Sequence, residues 1–264
     1  MRIHVVDVAP GSGAGDHRWD RHTRHVVPAV GDPAREAALA RLVHRHGIDL
    51  VVPTNPDELI DLAAAATSFP PGVDIVVSGT AGLVHARDSF HALRRLARAG
   101  IPTARIATPS DYLDQVGGPD LPRERLALMP RSAWQADQAV PLLDPRTLDH
   151  ASFGDAYFVI ERPPGPHWRV LSPGLGESSD GLDGVVAALG PAQGAASRAV
   201  PRRPQILQLA TESVRALQVT GPVELTVAED ECTLRVTGVV PGLTAAFTHS
   251  PFLLDIALGL VVSD

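Results

Sequence analysis

The chain has 264 residues, 44% of them hydrophobic, and a formal net charge of −7; it is long enough to bury a sizeable core and too apolar to be disordered throughout. The acidic balance speaks against a nucleic-acid partner or an anionic membrane surface, both of which select a basic face. All 23 basic residues are arginine, and the single Cys232 excludes an intramolecular disulfide or a zinc site built on paired cysteines.

Met1 to Val8 lacks a basic region followed by a long apolar core, so no secretory leader is expected. No apolar run approaches the roughly 20 residues that cross a bilayer. A cytoplasmic location is the expectation, which a lone cysteine also suits. Ile3 to Val8 is a short β-branched run, and the glycine-rich stretch Pro10 to Gly15 predicts a loop after it. A dinucleotide fingerprint needs an apolar helix opening directly from such glycines, whereas Asp16 to His22 is almost wholly polar.

A helix is predicted from Asp32 to His46, with Pro33 in its first turn, a stripe of Ala37, Leu39, Leu42 and Val43, and Gly47 as its stop. The apolar strand Ile48 to Val52, a helix from Leu59 to Thr67 and the strand Val73 to Ser78 continue an alternation typical of a parallel sheet. Ser78-Gly79-Thr80 follows a strand, as ligand loops do in α/β folds, but lacks the Gly-Lys-Thr ending of a P-loop. Asp88 to Ala99 is an amphipathic helix, with Leu93, Leu96 and Ala97 on one face and Gly100 ending it.

Beyond Thr103 the texture becomes antiparallel. Strands are predicted over Leu126 to Met129, Tyr157 to Ile160, His167 to Leu171, Pro222 to Val227 and Thr233 to Val240. Gly174 to Arg203 is a long connection containing a weak helical patch at Leu182 to Leu189. Helices follow at Gln205 to Gln218 and Leu253 to Leu260.

Four stretches in this order carry a resemblance: Gly47-Ile48-Asp49-Leu50-Val51-Val52-Pro53-Thr54, then Arg87-Asp88-Ser89 through Pro102-Thr103, then Phe158-Val159-Ile160-Glu161, then Gly221-Pro222-Val223-Glu224 through Pro241-Gly242-Leu243. Their order and spacing resemble the ATP-grasp superfamily, specifically the ATP-dependent carboxylate–amine ligases related to the carbamoyl-phosphate synthetase large chain. The resemblance implies a parallel α/β N-terminal domain over 1–85, trimmed by a helix and a strand, a central α+β subdomain over 86–165 and a C-terminal α+β subdomain over 166–264. It also places Arg24 to Pro28 on a strand and makes a homodimer the expectation.

Such enzymes form an acyl phosphate from ATP and a carboxylate, which requires cations around the triphosphate and carboxylates holding magnesium against it. The family's Asp-Lys pair is Asp88-Ser89 here, and its second phosphate lysine aligns with Met129 in Leu128-Met129-Pro130-Arg131-Ser132. At the adenine hinge Ile160-Glu161-Arg162 retains only the glutamate. Thr226 stands at a metal-ligand position, and Gly238-Val239-Val240-Pro241-Gly242 keeps only the proline of the Glu-Ile-Asn-Pro-Arg motif.

Arg131, two residues from Met129, is the candidate for phosphate, and Glu161 for what remains of the nucleotide site. Glu224 shares a strand face with Thr226 and could recruit a metal, although its place near the acidic turn Glu229 to Glu231 suggests a solvated strand end. Trp134, His167 and Trp168, with Met129, are further candidates to line a ligand cleft by stacking. His17, His22 and His25, with His44 and His46 nearby in sequence, invite a metal reading that the interleaved Arg18, Arg21 and Arg24 oppose. The expectation is therefore a degenerate ATP-grasp protein with no catalytic residue, metal or cofactor, binding a partner protein or a small ligand in a biosynthetic pathway. The alternative is an active carboxylate–amine ligase using ATP and magnesium in a rebuilt site.

Overall fold

A computed structural model describes residues 3–7, 22–114, 125–134, 140–141, 154–174, 187–189, 204–230 and 233–244. The glycine-rich loop after Pro10, His17, Cys232 and the terminal helix expected at Leu253 to Leu260 lie outside them. The chain divides into two compact units, Met1–Ile75 and Val76–Asp264.

In the first unit β1 (Ile3–Asp7) pairs in parallel with β2 (His22–Val26), and β3 (Leu50–Val51) with β4 (Asp74–Ile75). Between them stand α1 (Ala34–His46) and α2 (Glu58–Ala64), followed by a 3-10 turn at Ala66–Ser68. Gly47 ends α1 at φ 59°, where its N–H reaches the Val43 carbonyl; a side chain would be strained in that left-handed conformation. Leu39 and Val43 are buried on α1 beside Arg35, while Ala37 is exposed and Leu42 half-buried, so the inward stripe falls every fourth residue and takes in an arginine. Arg35 is held by the Glu58 carboxylate and the Pro28 carbonyl, two acceptors that compensate the buried guanidinium. The β3–β4 ladder, Leu50 opposite Asp74 and Val51 opposite Ile75, is shorter than the expected strands.

The second unit begins with α3 (Thr80–Ala86) and α4 (Ser89–Arg98). Then come β5 (Ile106–Ala107), α5 (Pro109–Asp114), β6 (Leu126–Pro130), β7 (Val140–Pro141), a 3-10 turn at Gly154–Ala156 and β8 (Tyr157–Glu161). The remaining elements are β9 (His167–Ser172), β10 (Ala187–Leu189), α6 (Pro204–Leu217), β11 (Val223–Asp230) and β12 (Thr233–Pro241). Two four-stranded sheets result, β5-β8-β6-β7 and β10-β9-β11-β12, and every pairing in them is antiparallel.

One apolar core serves both sheets. Trp168, Val170, Leu225, Val227 and Val239 from the second sheet meet Phe90, Leu93 and Leu96 of α4, Ile206, Leu209 and Val214 of α6, and Ala127, Phe158 and Ile160 of the first sheet. The other face of the first sheet buries Leu126, Leu128 and Val159 against Tyr112 and Tyr157, which is why these strands are almost continuously apolar in sequence. The expected helical patch at Leu182 to Leu189 is corrected at its end: Ala187–Leu189 forms β10, where ladder bonds to Arg169, Val170 and Leu171 override the helical preference of alanine and leucine. A helix at Thr80–Ala86, not foreseen in the sequence, starts at the last residue of the expected Ser78-Gly79-Thr80 loop.

Candidate functional site

Strand alternation gives the β9-β11-β12 sheet two unlike faces. Trp168, Val170, Leu225 and Val227 enter the core, while His167, Arg169, Glu224 and Thr226 share the opposite face. On β12 the register brings Gly238 directly opposite Thr226, and Val240 opposite Glu224. Thr226, at the expected metal-ligand position, and Gly238, at the place of the expected motif's glutamate, are thus cross-strand neighbours, and neither carries a carboxylate. A Cβ built on Gly238 would meet the Thr226 hydroxyl at 3.4 Å, ordinary contact for a pair of this kind.

Glu224 is the only acidic side chain among these paired positions, and it is occupied. Expected as a solvated strand end, it is instead 5% exposed, on a strand that is central in its sheet. The Arg169 guanidinium binds it through two arms, Nε to Oε1 and Nη2 to Oε2 at 2.8 Å, and the Thr244 hydroxyl also donates to Oε2. A metal ion there would displace a bidentate arginine from a carboxylate whose oxygens already accept three hydrogen bonds.

Arg131 follows β6 and is fixed by backbone bonds, its N–H to the Ala156 carbonyl and its own carbonyl to the Ser89 N–H. Its side chain stands 3.0 Å from the Asp88 carboxylate, 3.2 Å from His91 Nε2 and 3.3 Å from the Asp155 carbonyl, with the guanidinium carbon 4.9 Å above the Phe90 ring. Asp88 is also the N-cap of α4, accepting from the His91 N–H at 2.9 Å. Arg131 therefore ties the start of α4 to β6 and the 154–156 turn. Ser89, at the expected lysine position, is buried inside this junction.

Glu161, at the end of β8, is also buried and faces Arg105 at 3.7 Å and Arg235 at 4.0 Å. Arg235 continues to Asp230 at 3.9 Å, which Arg125 approaches at 3.8 Å. Three guanidinium groups thus surround two carboxylates. The three charged candidates, Arg131, Glu161 and Glu224, each have an internal counter-ion.

The remaining candidates do not converge. Met129 packs against the main core and lies opposite Phe158 across the β6–β8 ladder. Trp168 belongs to that core, whereas its neighbour His167 points to the other face, its Nε2 3.2 Å from the Pro163 carbonyl. Burial lowers the His167 pKa below its ordinary value; the Pro163 carbonyl opposes this shift and Arg162 adds to it. Trp134 donates to the Pro241 carbonyl at 2.9 Å, anchoring the one retained residue of the expected motif. Ser78-Gly79-Thr80 is closed by protein: the Gly79 N–H reaches the Thr220 hydroxyl at 2.9 Å and the Gly221 N–H reaches the Ser78 hydroxyl at 2.8 Å.

Sequence reasoning missed Arg169, Arg235, Arg125, Arg105 and Asp230. Alternation within Trp168-Arg169-Val170 does turn Arg169 away from the core, but its partner depends on strand order, which local sequence does not encode. In the first unit His4, His25 and His46 form a ring cluster, although no group of three histidine, cysteine, aspartate or glutamate side chains among the described residues is arranged to hold a metal ion. No helix among the described residues is long and apolar enough to cross a membrane.

No protein-family model matches the sequence, and no curated protein matches it. Solved structures do. An L-amino acid ligase from Bacillus licheniformis superimposes with a TM-score of 0.66 at 16% identity, over 97% of this chain and 64% of the other. N5-carboxyaminoimidazole ribonucleotide synthetase from Thermotoga maritima gives 0.63 at 18% identity, over 93% and 63%. D-alanine-D-alanine ligase from Bacillus anthracis gives 0.58 at 15% identity, over 98% and 96%. At these identities the likeness is one of fold. The chain spans just under two thirds of the first two proteins and nearly all of the third.

Proposed function

Because the chain has the ATP-grasp fold, we propose that it is a non-catalytic form of it, one that keeps the scaffold and has given up the nucleotide and magnesium sites. The observation that carries this reading is the internal neutralisation of each charged residue left at those sites. Arg131 is committed to Asp88, Glu161 to Arg105 and Arg235, and Glu224 to Arg169 and Thr244. Triphosphate binding needs free cations, and magnesium needs free carboxylate oxygens. The residues present do not fit either group: Thr226 and Gly238 offer no carboxylate, and Ser89 and Met129 no charge. Each lost charge-assisted bond removes about 1.5–3 kcal/mol, so four such losses suffice to abolish useful affinity. The scaffold then serves as a cytoplasmic component of a biosynthetic pathway, binding a partner protein, a second copy of itself or a small ligand.

The second reading is an ATP-dependent carboxylate–amine ligase with a rebuilt site. Its support is that the superimposed proteins are named as ligases or a synthetase and that Glu161 is buried with an oxygen that accepts no hydrogen bond from the described residues. The two readings separate in an ADP-release assay across a panel of carboxylates and amines. The non-catalytic reading expects no substrate-dependent release; release that Arg131→Ala abolishes would establish the ligase instead.

A further inference from the structure

The first unit holds a histidine cluster that the reading above does not use. His4 on β1, His25 on β2 and His46 at the end of α1 bring their rings together with centroids 5.2, 4.9 and 4.8 Å apart. His4 Nδ1 and His25 Nε2 lie 3.0 Å apart, a hydrogen bond that needs one nitrogen to carry a proton and the other to be bare. Neutral imidazoles satisfy this arrangement; a doubly protonated pair places two donors face to face.

The charged groups around the cluster deepen that conflict. Burial chiefly, and then the neighbouring His46, His4 and Arg45, all cationic when charged, lower the pKa of His25. Arg24 precedes His25 and projects from the opposite face of β2, while His44 and Arg45 precede His46 on α1. Among the described residues none of the three histidines forms an ion pair with a carboxylate that could absorb the added charge. Histidine is the side chain whose ordinary pKa places such a change in the physiological range.

We propose that His4, His25 and His46 form an acid-sensitive latch that holds β1 and β2 to the end of α1 at neutral pH and releases them on protonation. The sign follows from the geometry. A proton binds His25 more readily in the separated state than in the cluster, so acidification favours the open form. The latched form is fully favoured above the ordinary histidine pKa of 6.5, and the advantage is lost as pH falls through the lowered folded value.

Amide hydrogen exchange of the full chain, corrected for intrinsic rates, tests this. Between about pH 7.5 and about pH 5, protection of residues 3–7 and 22–26 is expected to fall at least about tenfold more than that of 223–230. His4→Phe, which keeps a ring but cannot titrate, is expected to remove the excess, and the exposed His46→Gln to reduce it even if the first variant folds poorly. Equal loss of protection in both regions, or an unchanged excess in both variants, would overturn the proposal.

Discussion

Arg169 and Glu224 lock together across β9 and β11 on the face opposite the core, two guanidinium arms on two carboxylate oxygens. This pair fixes the chemistry of the face, since it converts its one described buried carboxylate from a ligand into a structural group. Removing Arg169 leaves a buried charge behind, and breaking such a pair costs about 3–5 kcal/mol. Arg169→Met is therefore expected to lower the urea midpoint sharply, whereas Arg169→Met with Glu224→Leu is expected to recover much of the loss. A neutral single variant would show that the pair is not holding the sheet.

Arg131 and Asp88 make a second structural pair, partly solvated and reinforced by the Phe90 ring. Arg131→Ala is expected to destabilise by about 1–2 kcal/mol, from the combined ion pair and cation–π contact. Asp88→Ala loses the pair together with the α4 cap, worth about 1 kcal/mol. A double-mutant cycle in urea is expected to show coupling between the two, and strictly additive losses would contradict the assignment.

How much of this was legible in the sequence differs by level. The α4 helix was, because Asp88, the Leu93/Leu96 stripe and Gly100 each supply a local signal. So were β6, β8, β9, β11 and β12, whose apolar runs are long, whereas the short β7 and β10 were not. The helix at Thr80–Ala86 was not, as Ser78-Gly79-Thr80 reads as a loop and a glycine at 82 weakens the helical signal. Gly82 is small for a tertiary reason: a Cβ there would lie 2.5 Å from the Gln218 carbonyl oxygen. At the site, the expected metal-ligand position Thr226 and the place of the motif's glutamate, Gly238, prove to be opposite each other, while the partners of Arg131, Glu161 and Glu224 depend on tertiary packing and could not be read locally.

The Gly82 contact gives its own expectation. Alanine improves intrinsic helix propensity by up to about 1 kcal/mol, but overpacking against backbone costs about 1–3 kcal/mol. Backbone cannot swing aside as a side chain would, so the steric term wins. Gly82→Ala is expected to lower thermal stability; an unchanged or raised melting temperature would mean α3 and the 217–219 segment are less tightly joined than the geometry shows.

His167 links stability to pH. Its imidazole is kept neutral chiefly by burial, so the unfolded chain takes up its proton at a higher pH than the folded one. The resulting stability is fully present above the ordinary value of 6.5 and is lost as pH falls through the lowered folded value. Urea unfolding from about pH 7.5 to about pH 5 is expected to show a shallower decline for His167→Gln than for the parent chain. Parallel declines would remove His167 from the account.

Titration calorimetry with Mg-ATP bears most directly on the central claim that the ATP-grasp scaffold has lost its nucleotide and metal sites. With Arg131, Glu161 and Glu224 each engaged internally, no saturable heat is expected up to about millimolar nucleotide, where binding is worth only about 4 kcal/mol. Saturable binding at micromolar concentration, dependent on magnesium and weakened by Arg131→Ala, would contradict it.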